Sequence, residues 1–301
     1  MAKPSSAPPS GAASLFGRPR SAVEQALRRR EPVACPLCGV APRPFAVDFQ
    51  GLQLARCERC GLQFQSPRPV FEDLVRAVYG PAYHPPGEHF LDSIRRYQFE
   101  RQMRWLERPE ADGRRLLDVG CGSGAFLAFA RARGWEADGT DVVLTPAAAA
   151  TGARLWEGQL PSIDFGGRRF HAVRFNQVLE HTQDPLAELR AARAVLEPGG
   201  TLHVGVPNLA GFNIMLKSWQ SRLGLKRKRW KHYGALHHLW FFTPRTLARL
   251  AAAAGLQVIG WETPVAGRPG RPAWLTAAIR RPLESLRAGG ILDLYARAPD
   301  R

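Results

Sequence analysis

The chain has 301 residues, room for one large α/β domain and a small module. Its hydrophobic content of 45% and charged content of 23% are ordinary for a soluble globular protein, and no run reaches the roughly 18 consecutive apolar residues that cross a membrane. The formal net charge of +16 points to an anionic contact, whether nucleic acid, a phosphorylated substrate or a membrane surface.

Residues 1–31, rich in Pro, Ser, Ala and Gly, predict a disordered basic tail with one short basic helix from Ala22 to Arg30. The start has no apolar run of signal-peptide type, so a cytoplasmic location is expected, although its Arg- and Ser-bearing, acid-poor composition also fits a transit peptide. Residues 32–70 hold four of the five cysteines. Cys35-Pro36-Leu37-Cys38-Gly39 and Cys57-Glu58-Arg59-Cys60-Gly61 are two CxxC turns with 18 residues between them. Each turn sets two thiolates on one side of a tight bend, and the following glycine relieves the backbone. Together Cys35, Cys38, Cys57 and Cys60 predict a closed, tetrahedral zinc site. Four protein ligands leave no open position, so this zinc is structural, and a ribbon this small needs the metal for its folding energy. Unmetallated or redox-active CxxC turns are the competing reading, weakened by the shared Cys-x-x-Cys-Gly form. No secretion signal accompanies the cysteines, which argues against disulfides.

Residues 71–112 predict a helical linker or cap, with Phe90, Ile94, Tyr97, Phe99, Met103 and Trp105 roughly at helical spacing. From 113 to 301 the pattern alternates. Strands are predicted at Arg115–Val119, Glu136–Thr140, Ala153–Trp156, Phe170–Gln177, Thr201–Val206, Leu256–Trp261 and Ile291–Ala296. Helices are predicted at Ala125–Arg133, Leu144–Thr151, Leu186–Leu196, Thr243–Ala254 and Ala273–Leu286, the last with a break at Pro282. Such alternation means an α/β fold, a parallel sheet with helices on both faces. The stretch 209–239 departs from it. That stretch carries Lys217, Arg222, Lys226, Arg227, Lys228, Arg229 and Lys231 and no acid, while Phe212, Met215, Leu216, Trp219 and Leu223 fall on one helical face. It reads as a basic insert capping the substrate site. Contact with a membrane surface or a diphosphate is a further use, and a solvated basic face over a packed apolar stripe is the plainer one.

The chemistry begins at Asp118-Val119-Gly120-Cys121-Gly122-Ser123-Gly124-Ala125, between the first strand and its helix. Alternate glycines let main chain pass close to a ligand, and the turn aims backbone N–H groups and the helix N-terminus into the crevice at the strand ends. Gly120-x-Gly122-x-x-Ala125 also satisfies the dinucleotide fingerprint, and Asp141, ending the second strand, suits a ribose in either case. Later motifs separate the two readings. The Asp118-x-Gly-x-Gly-x-Gly loop is followed by Asn176 to Pro185 (NQVLEHTQDP), Val195 to Gly200 (VLEPGG), Val206-Pro207-Asn208 and His238 to Pro244 (HLWFFTP). In this order they resemble the class I S-adenosylmethionine-dependent methyltransferases, in the subgroup with an N-terminal zinc ribbon.

The resemblance implies a Rossmann-like, seven-stranded sheet with its last strand antiparallel, and S-adenosyl-L-methionine as cofactor. It implies that Asp118, Gly120, Gly122 and Gly124 hold the amino-acid end of that cofactor, with Cys121 counted in the loop as a small buried residue. It places Asp141 on the ribose, Val142 beside the adenine, Leu160 near the adenine edge and Gln177 near the methionine moiety. His171 stands where the family usually has Asp, and a structural effect without loss of activity is expected there. Methyl transfer mainly needs a positioned acceptor, and a hydroxyl acceptor also benefits from a general base. His181 and His238 are the candidate bases, with His237 behind them; Glu180 reads as a loop-stabilising residue. The expected function is O-methylation of a small-molecule or glycan acceptor, a sugar, polysaccharide or lipid-linked intermediate. An RNA methyltransferase gripping phosphates through ribbon and insert is the alternative. It lacks interleaved aromatic and basic residues in the ribbon and any Asn/Asp-Pro-Pro-Tyr/Phe motif. A non-catalytic interaction protein is the second alternative, and the intact glycine loop speaks against it.

Overall fold

A computed structural model describes residues 14–15, 18–19, 23, 27–79, 93–107, 114–265 and 273–300. The cysteine-bearing region forms β1 (Arg43–Val47), β2 (Gln53–Arg56) and β3 (Gln63–Gln65). Helices α1 (Phe71–Val78) and α2 (Ser93–Leu106) follow. The alternating region opens with β4 (Arg115–Val119), α3 (Ala125–Arg131), β5 (Glu136–Asp141), α4 (Pro146–Ala149), β6 (Leu155–Glu157) and β7 (Phe170–Asn176). It continues with α5 (Pro185–Val195), β8 (Leu196–Pro207), α6 (Phe212–Arg222), β9 (Trp240–Phe241) and α7 (Pro244–Ala253). It ends with β10 (Gln257–Glu262), α8 (Ala273–Ser285, running through Pro282) and β11 (Ile291–Arg297).

Seven of these strands form one sheet in the order β6-β5-β4-β7-β8-β11-β10. The pairs from β6 to β8 are parallel, and β11 runs antiparallel to both β8 and β10. This is the expected α/β sheet with a reversed last strand. Strand order switches direction between β4 and β7, and open α/β sheets form their ligand crevice at such a point. The helix starts follow capping chemistry. Asp184 accepts from the N–H groups of Leu186 and Ala187 ahead of Pro185, and Thr243 forms a capping box with Thr246 ahead of Pro244. One boundary differs from the sequence reading. Helix α5 ends at Val195, and Leu196 already pairs with Phe170, so Glu197 to Gly200 is a bulge before the regular register resumes at Thr201.

Successive strand residues point to opposite faces, and each face carries a core. Leu116 and Ala172 pack with Phe99 and Met103 of α2 and Phe126 and Leu127 of α3. On the other face Leu117, Val173 and Phe175 pack with Leu189 of α5 and Leu247 of α7, and this core continues into the ribbon through Leu54, Phe64 and Trp240. The ribbon is therefore not a separate unit ending at residue 70. β9 pairs antiparallel with β3, completing a four-stranded sheet in the order β9-β3-β2-β1, and Gln65 N–H donates to the Leu239 carbonyl at 3.0 Å.

The tail also ends sooner than residue 31. Val23 and Leu27 are buried, Arg29 forks onto Asp73 at 2.7 and 2.8 Å, and Arg30–Glu31 pairs antiparallel with Arg68–Pro69. Within the expected Ala22–Arg30 helix, Val23 is helical and Leu27 N–H donates to the Val23 carbonyl at 3.1 Å, while Arg30 is already strand, because it pairs with Pro69 after the ribbon. Residues 1–13, 22, 24–26 and Phe90 lie outside the described residues.

Candidate active site

The glycine loop leaves β4 with Gly120, Gly122 and Gly124 all in the left-handed region, at φ of 69°, 56° and 75°. Two of these positions exclude any side chain. A Cβ on Gly120 would collide with Val178, and one on Gly124 would lie 2.8 Å from Thr151 Cγ2 and 2.9 Å from Ala148 Cα. The loop differs from expectation in where its N–H groups go. Gly120 and Cys121 donate to the Thr140 carbonyl at 2.7 and 3.0 Å, Gly122 to Asp141 Oδ2 at 2.8 Å, and Gly124 to the Cys121 carbonyl at 2.9 Å. The first three donors bind the loop to β5 and the fourth closes the loop on itself, so its use to a ligand is close main-chain approach. Cys121 is buried, and a Cβ on Gly139 would meet its Sγ at 2.9 Å. It packs the loop onto β5, and burial pushes its thiol up, keeping it protonated.

Two clefts meet along this loop. The first, about 770 Å³, is lined by Asp141, Val142, Gly158, Leu160, Gln177, Phe71 and Glu188 among others. The second, about 1070 Å³, is lined by Asp118, Gly120, Cys121, Gly122, Asn176, Gln177 and the histidines. Asp141, Val142 and Leu160 thus share one cleft, as the nucleoside assignment requires, and Gln177 borders both. Gln177 holds a left-handed φ of 58°, rare without a glycine, and its N–H donates to the Gly205 carbonyl at 2.7 Å. Such strain collects where a side chain must be aimed at a site. Asp118 is fully buried and paired with Arg174, Nη1 to Oδ1 at 2.6 Å. Burial pushes its carboxyl up to about 6.

His181 and His238 come together. Their ring centroids lie 4.8 Å apart, His237 stacks on His181 at 5.4 Å, and all three border the second cleft. The insert's last turn brings His237 and His238 there. Helix α6 is not among the residues lining either cleft, so the covering part of the insert is its end and not its helix. The hydrogen bonds settle the tautomers. His181 Nδ1 lies 2.8 Å from the His237 carbonyl and His238 Nδ1 lies 3.0 Å from the Tyr233 carbonyl. A carbonyl only accepts, so each Nδ1 carries the proton and each Nε2 keeps its lone pair. Burial lowers all three rings, His181 well below its usual value, His238 to about 4 and His237 to about 3. The rings are neutral bases at neutral pH. Tyr79 closes the group, its hydroxyl 3.0 Å from His181 Nδ1.

Glu180 sits beneath these rings. Burial pushes its carboxyl up to about 8, and neither oxygen has a hydrogen-bond partner among the described residues. Ligand-type atoms of Glu180, His181 and His238 all lie within 4.8 Å of one another, a spacing that could hold a divalent ion. Sequence reasoning missed Tyr79, Arg174 and Glu188. Tyr79, just after α1, and Glu188, on α5, turn to the site only through tertiary packing. Arg174 did leave a signal, a charged residue in the middle of an otherwise apolar strand.

The four ribbon cysteines form a second cluster. All four Sγ atoms lie within 4.8 Å of one another, with Cys35 and Cys60 Sγ 3.5 Å apart. Gly39 and Gly61 take φ of 67° and 80°, and their N–H groups donate to the Cys35 and Cys57 carbonyls. Two tight turns facing four thiols inward fit a tetrahedral zinc ion. His171, in place of the usual Asp, accepts from the Arg115 N–H at 3.3 Å, ties β7 to β4 and touches neither cleft.

Residues 91–260 match the family described as "Methyltransferase domain". The chain belongs to this family and is a class I S-adenosylmethionine-dependent methyltransferase. It is 29% identical to the ubiquinone biosynthesis O-methyltransferase of Ruegeria pomeroyi over 76% of this chain and 95% of that protein. It is 28% identical to the ubiquinone biosynthesis O-methyltransferase of Aeromonas salmonicida over 48% of this chain, spanning 64% of that protein's length. The fold is shared with the crystal structure of a Burkholderia thailandensis 1,6-didemethyltoxoflavin-N1-methyltransferase, at a TM-score of 0.55, 19% identity, and coverage of 86% of this chain and 100% of that one.

Proposed function

We propose that this enzyme O-methylates a small hydroxyl-bearing acceptor, a sugar or lipid-linked intermediate, with His181 or His238 as general base. The observation that carries the reading is the pair of neutral histidines beside the glycine loop whose Nδ1 atoms are held by carbonyls, which leaves Nε2 as the basic nitrogen of each, that of His181 3.8 Å from Glu180 Oε1. S-adenosyl-L-methionine, when bound, supplies an activated methyl group. The glycine loop holds its amino-acid end and Asp141 its ribose, Gln177 borders the junction of the clefts, and an Nε2 takes the acceptor's hydroxyl proton as the oxygen attacks the methyl group and the thioether leaves. Relatives named for O-methylation in ubiquinone biosynthesis support oxygen as the methylated atom. The four cysteines hold a structural zinc.

The insert is the part we assign to an anionic membrane or diphosphate contact. Its stripe is not packed: Phe212, Trp219 and Leu223 are 59%, 56% and 55% exposed. Lysines and arginines flank the stripe and no acid lies in 209–239. Among the described residues no helix is long and apolar enough to cross a membrane, so contact would be at the surface. The test is transfer of a labelled methyl group to fractionated cell extract, with mass spectrometry of the product. Label on a hydroxyl oxygen of a small or lipid-linked molecule is expected. Label confined to RNA overturns the reading. Unchanged turnover after chelation and dialysis assigns the histidine cluster to base chemistry; turnover that is lost and returns with magnesium or manganese, but not with zinc, the ion of the cysteine cluster, assigns it to metal.

A further inference from the structure

Arg174 is a charged side chain at the centre of β7, only 3% exposed, and its neighbours on the strand are Val173 and Phe175. Burying a guanidinium there costs much unless it is paired and has a use. It sits in register with Asp118 on the neighbouring strand β4. Its Nη1 donates to Asp118 Oδ1 at 2.6 Å and its Nε to Gln102 Oε1 of α2 at 2.9 Å. Gln102 is held in turn by donating to Asn176 Oδ1 at 3.0 Å. The guanidinium lies over Phe126 at 3.8 Å and near Phe99 at 5.3 Å. Aromatic faces and two hydrogen bonds thus fix its plane. Nη2 makes no hydrogen bond to any described residue, and Arg174 lines the second cleft beside Gly120, Gly122 and Ser123.

A fixed cation and a fixed anion side by side, opening on the glycine loop, match a ligand that carries both charged groups on one carbon. We propose that Arg174 and Asp118 form a paired receptor for the zwitterionic amino-acid end of the cofactor, Arg174 taking the carboxylate and Asp118 the ammonium. A fixed guanidinium suits a carboxylate by geometry as well as charge. Gln102 acts as a positioning residue, carrying the orientation of α2 into the site.

The proposal rests on the assignment of the glycine loop to that end of the cofactor. It is tested with four probes on the full chain: S-adenosylmethionine; S-adenosylhomocysteine; 5′-methylthioadenosine, which lacks the amino-acid end; and decarboxylated S-adenosylmethionine, which keeps the ammonium alone. Calorimetry on the unaltered protein should show S-adenosylmethionine binding about tenfold or more tighter than its decarboxylated form, the range of a charge-assisted hydrogen bond. Arg174→Met should weaken S-adenosylhomocysteine by a similar factor and leave 5′-methylthioadenosine unchanged. It should also erase the preference for the carboxylated cofactor, since both changes remove the same contact. Arg174→Lys should restore part of it.

Equal loss for all probes in Arg174→Met makes the residue structural and overturns the proposal. Equal binding of the two sulfonium compounds by the unaltered protein overturns it without any variant, so a variant that fails to fold does not rescue it. Binding of none of the probes would strike the cofactor assignment itself.

Discussion

His238 shows how far its surroundings reset a histidine's own chemistry. Its ring would titrate near 6.5 in water. Burial lowers it to about 4, and the Tyr233 carbonyl fixes which nitrogen is basic. If it is the base, kcat/KM should stay flat from pH 8 to 5 and fall only near pH 4. An acid limb near pH 6.5 would mean that an exposed, unperturbed group controls the rate. His238→Ala should lower kcat by about 10² to 10⁴ with little change in cofactor affinity, measured by steady-state kinetics and calorimetry. Asp141→Ala should do the reverse. Asp141 Oδ2 holds Gly122 N–H at 2.8 Å as well as facing the nucleoside cleft. The variant should therefore weaken S-adenosylhomocysteine by tenfold or more, on the order of 1.4 kcal/mol, and unchanged affinity would misplace the ribose.

At the scale of elements the ribbon is joined to the catalytic domain by shared strands. β9 lies in the ribbon sheet, while the residues just before it, His237 and His238, line the cleft. A disturbed ribbon should therefore reach the active site through Leu239 and Trp240. Substituting Cys57→Ser, or chelating the zinc we propose for the cysteine cluster, should lower the melting temperature of the whole chain in one calorimetric transition, because the core is continuous. Two separated transitions would mean that the ribbon melts alone. Helix α6 makes the opposite case. Its stripe stays more than half exposed at Trp219 and Leu223, so Trp219→Ser with Leu223→Ser should leave the melt and solution turnover nearly unchanged. The same pair should abolish co-sedimentation with vesicles rich in anionic lipid. Undiminished sedimentation would remove the helix from that contact.

For the whole molecule, stability should track the buried titratable groups. The three histidines are lowered by burial, so their contribution is present above pH 6.5 and is lost as pH falls through 4. Glu180 and Glu188 are both raised by burial to about 8. Their contribution is full below about pH 4.5 and is lost as pH rises through 8. The melting temperature should therefore decline on both sides of a mildly acidic optimum. Glu180→Gln should remove part of the alkaline decline and leave the acid one intact, as scanning calorimetry across pH 4 to 9 would show. An unaltered alkaline limb would mean that Glu180 is not the buried acid that burial makes it.

The alternation of strands and helices, the glycine loop with Asp118 before it, the acid ending the second strand and both cysteine turns were legible in the sequence. Each depends on local backbone chemistry or on a short fixed spacing. A turn that needs positive φ favours glycine, as at Gly120, Gly122 and Gly124, and a cap favours Thr or Asp. What only tertiary structure decided are the relations between segments far apart in the chain. Trp240 completes a sheet begun at Arg43, Tyr79 meets His181, and Arg174 faces Asp118 across two strands. The histidines' depressed basicity belongs to the same group, because desolvation is set by everything that surrounds a ring and not by its neighbours in sequence.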